Sequence, residues 1–256
     1  MKLNLYNNIA EKYKSSSQKI RILTEYWVDN SIFCPNCGNL SIASYPNNKP
    51  VADFYCTKCK EDFELKSKKE KIGKKVVDGA YRTMIQRLKS ENNPNFFLLN
   101  YDLKNFQVQN FFVIPKHFFI PKTIEKRKPL SENARRAGWV GCNILLQNIP
   151  ETGKIFFVKE KQIEPKEKVL AEWQKTLFLK EEKEIITKGW LIDIMVCIDK
   201  LGLQKFSLND IYKFEEELST KHPDNHHIKD KIRQQLQILR DKKYLKFIGQ
   251  GKYQLL

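Results

Sequence analysis

The chain has 256 residues, of which 46 are lysine or arginine and 30 are aspartate or glutamate, so its formal net charge is +16. This length accommodates one large and one small domain, and the positive charge favours a polyanionic partner, nucleic acid before an anionic membrane surface. The sequence has no run of about eighteen apolar residues, and its first residues lack the apolar core of a signal peptide, so we expect a soluble, cytoplasmic protein.

The first predicted element is a helix over residues 18 to 28, where Ile20, Leu23 and Trp27 recur on one face after a serine stretch that could supply an N-cap. Residues 62 to 66 alternate as a strand does, and residues 78 to 88 have helical spacing. Residues 51 to 55 are a short apolar run, and four further runs bounded by turn residues are typical of buried strands, namely residues 96 to 99, 111 to 114, 142 to 146 and 155 to 158. These elements predict one mixed α/β domain.

A charge run at residues 181 to 184 predicts a boundary between a first domain, residues 1–182, and a second domain, residues 183–256. In the second domain, apolar spacing predicts an amphipathic helix around residues 191 to 198 and a third helix over residues 228 to 239, while a capping box at Ser207 begins a second helix. A hairpin then turns at residues 249 to 251. Three helices followed by a hairpin are the outline of a winged helix.

Four of the six cysteines form two Cys-x-x-Cys pairs, Cys34 with Cys37 and Cys56 with Cys59. Two such pairs supply four thiolates from two tight turns, which is the ligand set of a structural zinc site. We therefore predict Zn²⁺ with no open coordination position and no catalytic role, the alternative being four free buried cysteines. The remaining two cysteines, Cys142 and Cys197, are interpreted as small buried apolar residues.

Acidic residues bracket the second cysteine pair, with Asp53 before it and Glu64-x-Lys66 after it. Two carboxylates from neighbouring strands can bind a hard cation such as Mg²⁺, and Lys66 points to the same side of its strand as Glu64, where it could assist an attacking water. Glu-x-Lys also arises by chance in a lysine-rich chain, so a solvated strand face is the alternative. Spacing alone does not decide between catalysis and that alternative.

Other polar and aromatic residues are candidate DNA contacts, and each group has an alternative interpretation. The candidates in the first domain are Arg135, Arg136 and Trp139, and those in the second domain are His226, His227, Arg233, Gln234 and Gln237. Surface packing is the alternative for the first group, and a solvated turn is the alternative for the histidines, including His222. His117 stands among four phenylalanines and is interpreted as a packed core histidine.

The N-terminal helix, the sequence Pro50, Val51, Ala52, Asp53, the cysteine knuckle and the Glu64-Leu65-Lys66 triplet together resemble the PD-(D/E)xK nuclease core. The sequences at residues 34 to 39, 135 to 139 and 231 to 240 further resemble the DpnI-type methyl-directed restriction endonucleases, so the resemblance covers both domains. It implies a mixed α/β, restriction-endonuclease-like core with a zinc-binding, four-cysteine insertion at about residues 33–60, followed by a small winged-helix domain.

The resemblance also implies a function, that of a type II site-specific deoxyribonuclease. This enzyme would hydrolyse both strands of double-stranded DNA at 5′-GATC sites that carry N6-methyladenine, in a Mg²⁺-dependent reaction that leaves blunt ends. Asp53 and Glu64 would be the magnesium ligands, Lys66 the catalytic lysine and Trp139 the sensor of the adenine methyl groups. The winged helix would read the methylated site a second time, and we expect a bacterial cytoplasmic protein that is monomeric in solution.

Two alternatives remain. The first, from a different class, is a non-catalytic zinc-ribbon and winged-helix regulator, which has no need of Asp53, Glu64 and Lys66 together on adjacent strands. The second is a repair nuclease that recognises DNA structure, which does not account for the segment around Trp139. The residue pattern therefore favours the methyl-directed endonuclease. Guanine recognition would fall to Arg233 or to one of the two arginines before Trp139, through bidentate contacts.

Overall fold

A computed structural model of the chain describes residues 1–46, 52–69, 71–88, 90 and 93–256. Pro50 and Val51, which belong to the predicted nuclease motif, lie outside the described residues. The chain divides into two compact units, a first unit of Met1–Gln147 and Thr152–Thr176 and a second unit of Asn148–Glu151 and Leu177–Leu256. Within the described ranges, every helix is too short or too polar to span a bilayer.

The first unit is a mixture of helices and strands, as predicted. Its described elements, in chain order, are α1 (Ser16–Ser31), β1 (Ile42–Ser44), β2 (Phe54–Cys56), β3 (Asp62–Lys68), β4 (Lys75–Ala80), α2 (Tyr81–Leu88), β5 (Asn95–Asp102), β6 (Gln107–Ile114), β7 (Ile124–Lys126), β8 (Gly141–Leu145), β9 (Ile155–Lys159), β10 (Gln162–Ile163) and α3 (Lys166–Thr176). The predicted first helix lies within α1, and the predicted strands at residues 62 to 66, 96 to 99, 111 to 114 and 155 to 158 lie within β3, β5, β6 and β9.

Two sheets organise this unit. In the larger one, the described strands lie in the order β1-β2-β3-β5-β6-β9-β10, and only the β3–β5 pair is parallel. The smaller sheet has the antiparallel order β4-β8-β7. The central strand β5 is buried along nearly its whole length, which explains why its sequence is a run of apolar residues without polar alternation.

An aromatic core lies between α1 and the larger sheet. Phe63 of β3 stacks on Phe97 of β5 with 4.4 Å between ring centroids, and Phe97 lies 5.0 Å from Phe111 of β6. Trp27 of α1 closes the stack at 5.2 Å from Phe111, and each of these side chains is at most 1% exposed. Burying a phenylalanine stabilises the fold by about 1.5–3 kcal/mol, so this core holds β3 firmly against its neighbours.

Three interpretations of single residues can be compared with the structure. His117 is buried, with Nε2 2.9 Å from the hydroxyl oxygen of Thr176, which confirms a packed core histidine. Cys142 and Cys197 are likewise fully buried, as predicted. The prediction of a helix from Asp78 was wrong for its first three residues, because the backbone there belongs to β4 and pairs with β8.

The second unit contains a small sheet beside its described helices. Its elements are α4 (Phe178–Glu181), α5 (Ile185–Leu201), β11 (Lys205–Ser207), α6 (Leu208–Tyr212), α7 (Glu215–Lys221), α8 (Ile228–Asp241), β12 (Leu245–Gly249) and β13 (Lys252–Leu255), and the sheet order is β11-β13-β12. The predicted capping box is confirmed, because the Ser207 hydroxyl accepts from the Asp210 N–H at 3.3 Å and the Asp210 carboxylate accepts from the Ser207 N–H at 2.9 Å.

Two predictions for this unit need correction. The first predicted helix is buried on all sides over residues 189 to 198, not amphipathic, which suits its largely apolar sequence. The second predicted helix is divided into α6 and α7 around Lys213 and Phe214. The third helix, α8, buries its predicted apolar face, and the terminal hairpin β12–β13 forms as expected.

Candidate active site

Four cysteine sulfurs converge beside the N-terminal end of β3. The Sγ atoms of Cys34, Cys37, Cys56 and Cys59 all lie within 4.8 Å of one another, with 3.5 Å between Cys34 and Cys59 and 3.6 Å between Cys37 and Cys56. A tetrahedral zinc ion with Zn–S bonds of about 2.3 Å places its sulfurs roughly 3.8 Å apart. The donor set and its spacing therefore fit a zinc ion, as the sequence predicts.

Both cysteine pairs adopt the same type of turn. The Gly38 N–H donates to the Cys34 carbonyl at 2.8 Å, and the Lys60 N–H donates to the Cys56 carbonyl at 3.0 Å. The residue that closes each turn has a positive φ, +72° at Gly38 and +61° at Lys60. Burial raises the pKa of the Cys56 thiol, but the backbone N–H groups of Cys59 and Lys58 outweigh that effect and lower it to about 6. These donors favour the thiolate form of Cys56, whereas burial raises the pKa of the Cys34 and Cys37 thiols, so zinc binding would have to displace their protons.

Asp53 immediately precedes β2, the strand that ends in Cys56. Its Oδ2 atom accepts a hydrogen bond from the Leu65 N–H at 2.7 Å, and its own N–H donates to the Phe63 carbonyl at 3.0 Å. Leu65 stands between Glu64 and Lys66 on β3. The structure therefore brings the Asp53 carboxylate beside the Glu64-x-Lys66 segment, and the turn that carries the second cysteine pair connects the two strands.

The Lys66 ammonium lies between two carboxylates. Its Nζ atom is 2.6 Å from Glu64 Oε1 and 2.5 Å from Asp78 Oδ1, while Arg87 of α2 places Nη1 3.4 Å from Glu64 Oε2. The side chains of these four residues, which we call the Lys66 cluster, are between 6% and 23% exposed. β3 supplies two members, and the continuous segment of β4 and α2 supplies the other two.

Burial and neighbouring charges compete within the Lys66 cluster. Burial raises the pKa of the Glu64 carboxyl, and although Lys66 opposes this effect, Asp78 reinforces it, so the net pKa is above its ordinary value. Burial lowers the pKa of Lys66, but the charges of Glu64 and Asp78 outweigh it, so that pKa is raised. Lys66 is therefore an ammonium at neutral pH, and two carboxylates, those of Glu64 and Asp78, share it.

Asp53 and Glu64 offer carboxylate oxygens, which are the ligands that Mg²⁺ prefers. Among the described residues, the four cysteines are the one set of three or more His, Cys, Asp or Glu side chains gathered closely enough to hold an ion. A magnesium ion at Asp53 and Glu64 would therefore complete its coordination with water and phosphate oxygens, as magnesium commonly does. The donor set fits such an ion.

Trp139 lies at the end of the loop between β7 and β8, against the backbone of Gly141. A Cβ atom at Gly141 would lie 2.8 Å from two carbons of the Trp139 ring, so glycine alone leaves room for the ring in this position. The Arg136 guanidinium lies 4.7 Å from the ring centroid, and both Arg135 and Arg136 are exposed. All three predicted DNA-contact residues of the first domain are thus accessible, at least in part, on one loop.

The second unit exposes its predicted DNA-contact residues on and before α8, namely His226, His227, Arg233, Gln234 and Gln237. Arg233 is held by the Tyr212 hydroxyl at 3.0 Å and by Asp230. His222 is different, because its ring stacks on Trp190 with 3.6 Å between centroids and its side chain is only 9% exposed. The interpretation of His222 as a DNA contact or part of a solvated turn was therefore wrong.

Asp78 and Arg87 are the residues of this site that the sequence does not reveal. Both fall in the segment predicted as one helix, and Val76 and Val77 are apolar neighbours that hide the strand alternation. In the structure the alternation is clear, since Val76, Asp78 and Ala80 are less exposed than the residues between them. The position of Asp78 depends on pairing with β8, which comes much later in the chain.

Comparison with known protein families gives two matches that together span nearly the whole chain. A family model described as DpnI, the Dam-replacing family, matches residues 1–182. A second model, described as DpnI_C, the Dam-replacing HTH domain, matches residues 186–255. The first match contains the cysteine site, the Lys66 cluster and the Trp139 loop, and the second contains α8 and the terminal hairpin. Both agree with the architecture that the sequence resemblance implies.

Proposed function

The chain belongs to the Dam-replacing family, and from this membership and its site geometry we propose that it is a methyl-directed restriction endonuclease. The proposed substrate is double-stranded DNA with N6-methyladenine in 5′-GATC. The proposed reaction is Mg²⁺-dependent hydrolysis of both strands that leaves blunt ends. We further propose that the enzyme acts in the cytoplasm as a monomer.

One observation carries this proposal. The Asp53 carboxylate accepts from the Leu65 N–H, between Glu64 and Lys66, so it lies beside the strand that carries the Glu64–Lys66 pair, within the region that the family model matches. A protein that only binds DNA gains nothing from this arrangement, because a partly desolvated pair of acids repels the phosphate backbone. A nuclease gains the ligands for a cation at that position.

Each residue of the site has a role that its contacts support. Asp53 and Glu64 would hold Mg²⁺, which supplies positive charge and Lewis acidity at the scissile phosphate when bound. The Leu65 N–H fixes the orientation of the Asp53 carboxylate. The Lys66 ammonium holds its protons at Nζ and can donate them as hydrogen bonds to a phosphate oxygen, which stabilises the negative charge that develops there. Zn²⁺ would hold the cysteine turn and take no part in the reaction.

Contact with a single adenine methyl group contributes little binding energy, so one contact alone discriminates weakly between methylated and unmethylated DNA. Covering one methyl group with the Trp139 ring is worth about 0.8 kcal/mol, or roughly a fourfold preference. A duplex GATC site carries two such methyl groups. If the HTH domain also contacted them, the preference for methylated over unmethylated DNA would be multiplied further. The exposed residues of α8, together with Arg135 and Arg136, are the candidates for base and phosphate contacts.

The decisive experiment incubates the purified full chain and Mg²⁺ with two plasmids that differ only in adenine methylation at GATC. We expect double-strand cleavage of the methylated plasmid alone, with every cut mapped to GATC and the fragments ligatable as blunt ends. Binding of the methylated plasmid without cleavage would favour the non-catalytic regulator. Equal cleavage of both plasmids would leave a nuclease but remove the methyl specificity.

A further inference from the structure

The Lys66 cluster contains one carboxylate that the proposed reaction does not use, that of Asp78. Asp78 Oδ1 lies 2.5 Å from Lys66 Nζ, and its side chain is only 6% exposed. We propose that Asp78 is a positioning residue, which holds the Lys66 ammonium in place when Glu64 engages a metal ion. This inference rests on the proposed function. It adds to the site a residue of β4, whereas the Glu64-x-Lys66 motif lies on β3.

The geometry of Glu64 explains why Lys66 needs a second partner. Glu64 Oε1 accepts from Lys66 at 2.6 Å, and Oε2 is 3.4 Å from Arg87 Nη1, so both oxygens face cationic side chains. A metal ion that binds Glu64 must share or displace these contacts, and its positive charge repels the nearby ammonium. Glu64 therefore cannot fix Lys66 and bind the ion with full strength at once. Asp78 can hold Lys66 while Glu64 binds the ion, because Asp78 is not a metal ligand in the proposed site.

The backbone of Asp78 is well placed for this task. Asp78 pairs with Cys142 of β8, and its neighbour Val77 pairs with Asn143, so β4 is held by an antiparallel ladder up to Asp78, and the register shifts between Asp78 and Ala80. Arg87, the other partner of Glu64, lies on α2, which directly follows β4. The continuous segment of β4 and α2 thus carries both Asp78, which contacts Lys66, and Arg87, which contacts Glu64.

The same strand pair connects the cluster to the Trp139 loop. The N–H of Tyr81, the first residue of α2, donates to the Val140 carbonyl at 3.1 Å. Ala80, the last residue of β4, pairs with Gly141, which the Trp139 ring contacts. The backbone that positions Lys66 is therefore the backbone that supports the predicted methyl sensor. The two sites are therefore joined by a short stretch of β4 and β8, within which the register shifts between Asp78 and Ala80.

A purely structural role for Asp78 is the competing explanation, and the test must separate the two. Buried ion pairs often contribute little to stability, whereas removal of one partner leaves an uncompensated charge. A structural defect lowers the fraction of active enzyme or the melting temperature. A positioning defect lowers the rate constant of the chemical step in the enzyme that remains folded, with binding unchanged.

The experiment compares full-length Asp78→Asn and Asp78→Ala variants with the parent in single-turnover cleavage of methylated GATC duplex at saturating enzyme and Mg²⁺. We expect the rate constant to fall about 10- to 100-fold, the range that small misplacements of a catalytic group produce, and more for alanine than for asparagine. The Kd for the duplex without added Mg²⁺ should stay within about twofold, and the reaction amplitude should match the parent.

Glu125→Gln is the matched control, because Glu125 lies in the same three-stranded sheet and also pairs with a lysine, Lys75, at 2.5 Å. This pair is much more exposed, so its loss should change the rate constant by less than about twofold. A rate constant for Asp78→Asn equal to that of Glu125→Gln would overturn the inference, as would a loss confined to Kd or amplitude. A parent chain that does not cut the duplex would instead refute the proposed function.

Discussion

Each unit of the chain buries a cluster of charged side chains, and the two clusters are built in different ways. In the first unit, the Lys66 cluster combines two acids with one lysine and one arginine. In the second unit, Asp193 of α5 lies 2.8 Å from Lys221 Nζ and 2.8 Å from His222 Nε2, and we call these three residues the Asp193 cluster. Lys221 also pairs with the more exposed Glu217 at 3.2 Å. Asp193 thus has a close partner at each oxygen, whereas Glu64 shares Lys66 with Asp78 and lies 3.4 Å from Arg87.

The pKa shifts of the acids express this difference. Burial raises the pKa of both carboxyl groups, but the contacts with His222 and Lys221 outweigh burial at Asp193, and its pKa is below the ordinary value. At Glu64 burial and Asp78 prevail over Lys66, and the pKa is raised. An acid that shares its closest cation with a second carboxylate gains more from an added cation than an acid with two close partners. The first arrangement suits chemistry and the second suits structure.

The largest expected effect is the loss of cleavage in Asp53→Ala. The variant lacks one of two proposed magnesium ligands, so cleavage should fall on the order of a thousandfold or more, as with loss of a major electrostatic group. The melting temperature and the Kd for methylated duplex should remain close to those of the parent. Gel assays of plasmid cleavage, together with binding titrations, measure both.

Asp62→Asn is the control for this variant, because Asp62 lies on the partner strand β3 and accepts a hydrogen bond from Tyr45. It should cleave at nearly the parental rate. Undiminished cleavage by Asp53→Ala would show that the acids beside Lys66 are structural, like Asp193, and the contrast between the two clusters would disappear.

Removal of zinc should have the next largest effect, because the cysteine turn connects Asp53 to β3. Purified protein should contain about one zinc per chain, and Cys59→Ser should lose it. Cleavage should then fall by about a hundredfold through lost geometry. Cys197→Ser, which alters a buried cysteine of the second unit, should keep its zinc. A zinc-free protein that is folded and fully active would contradict this dependence.

The Asp193 cluster should affect stability and leave the chemistry intact. Asp193→Ala removes the buried carboxylate that pairs with Lys221 and His222, while Lys221 keeps its contact with Glu217, so the loss should be at most about 3 kcal/mol. Urea unfolding monitored by hydrogen exchange in α5 measures this loss, and the exposed Asp224→Ala is the control, with a change below about 0.5 kcal/mol. The single-turnover rate constant of the folded variant should equal that of the parent.

The pH dependence of this stability has a definite sign. Because the pKa of Asp193 is lowered on folding, its contribution is present above the unfolded value of about 3.9 and is lost as the pH falls through the folded value. The difference in unfolding free energy between the parent and Asp193→Ala should therefore be largest near neutral pH and should decrease below about pH 3.9. If this free-energy difference stayed constant from neutral pH to below about pH 3.9, the carboxylate charge would not stabilise the second unit.

The sequence predicts what is local and misses what depends on distant pairing. The cysteine pairs, Asp53 and the Glu64-x-Lys66 triplet are short strings whose spacing carries chemical meaning, and the buried strands are continuous apolar runs. Asp78 is different, because it contacts Lys66 from β4, a strand that pairs with the distant strand β8. No local feature of its sequence distinguishes it from a residue at the start of α2.

The histidines before α8 also show that contacts between distant segments are not evident from the sequence. His222 and His226 are close in sequence and share a polar neighbourhood, so the same interpretation applied to both. Trp190 and Asp193 of α5 separate them, because they bury the first ring and leave the second exposed. Tertiary contacts with a distant helix, which sequence spacing does not encode, therefore decide which histidine is available to DNA.

The smallest expected effect concerns Trp139, the proposed methyl sensor. In Gly141→Ala the new Cβ would lie 2.8 Å from the Trp139 ring, so the ring must move from its position on the strand. The preference for methylated over unmethylated GATC should fall by roughly fourfold for each methyl group no longer covered, and Trp139→Ala should lose the same preference. Cleavage rates on both substrates, measured side by side, give this ratio.

Gly79→Ala tests whether the ring itself is responsible. Gly79 lies on β4 in the same sheet, and a Cβ there would meet nothing within 4 Å, so its substitution should leave the preference unchanged. If Gly141→Ala and Trp139→Ala also kept the full preference, methyl recognition would belong to the second unit alone. The contrast between the units would then sharpen: the first would supply the chemistry, and the second, stabilised by Asp193, would supply the selectivity.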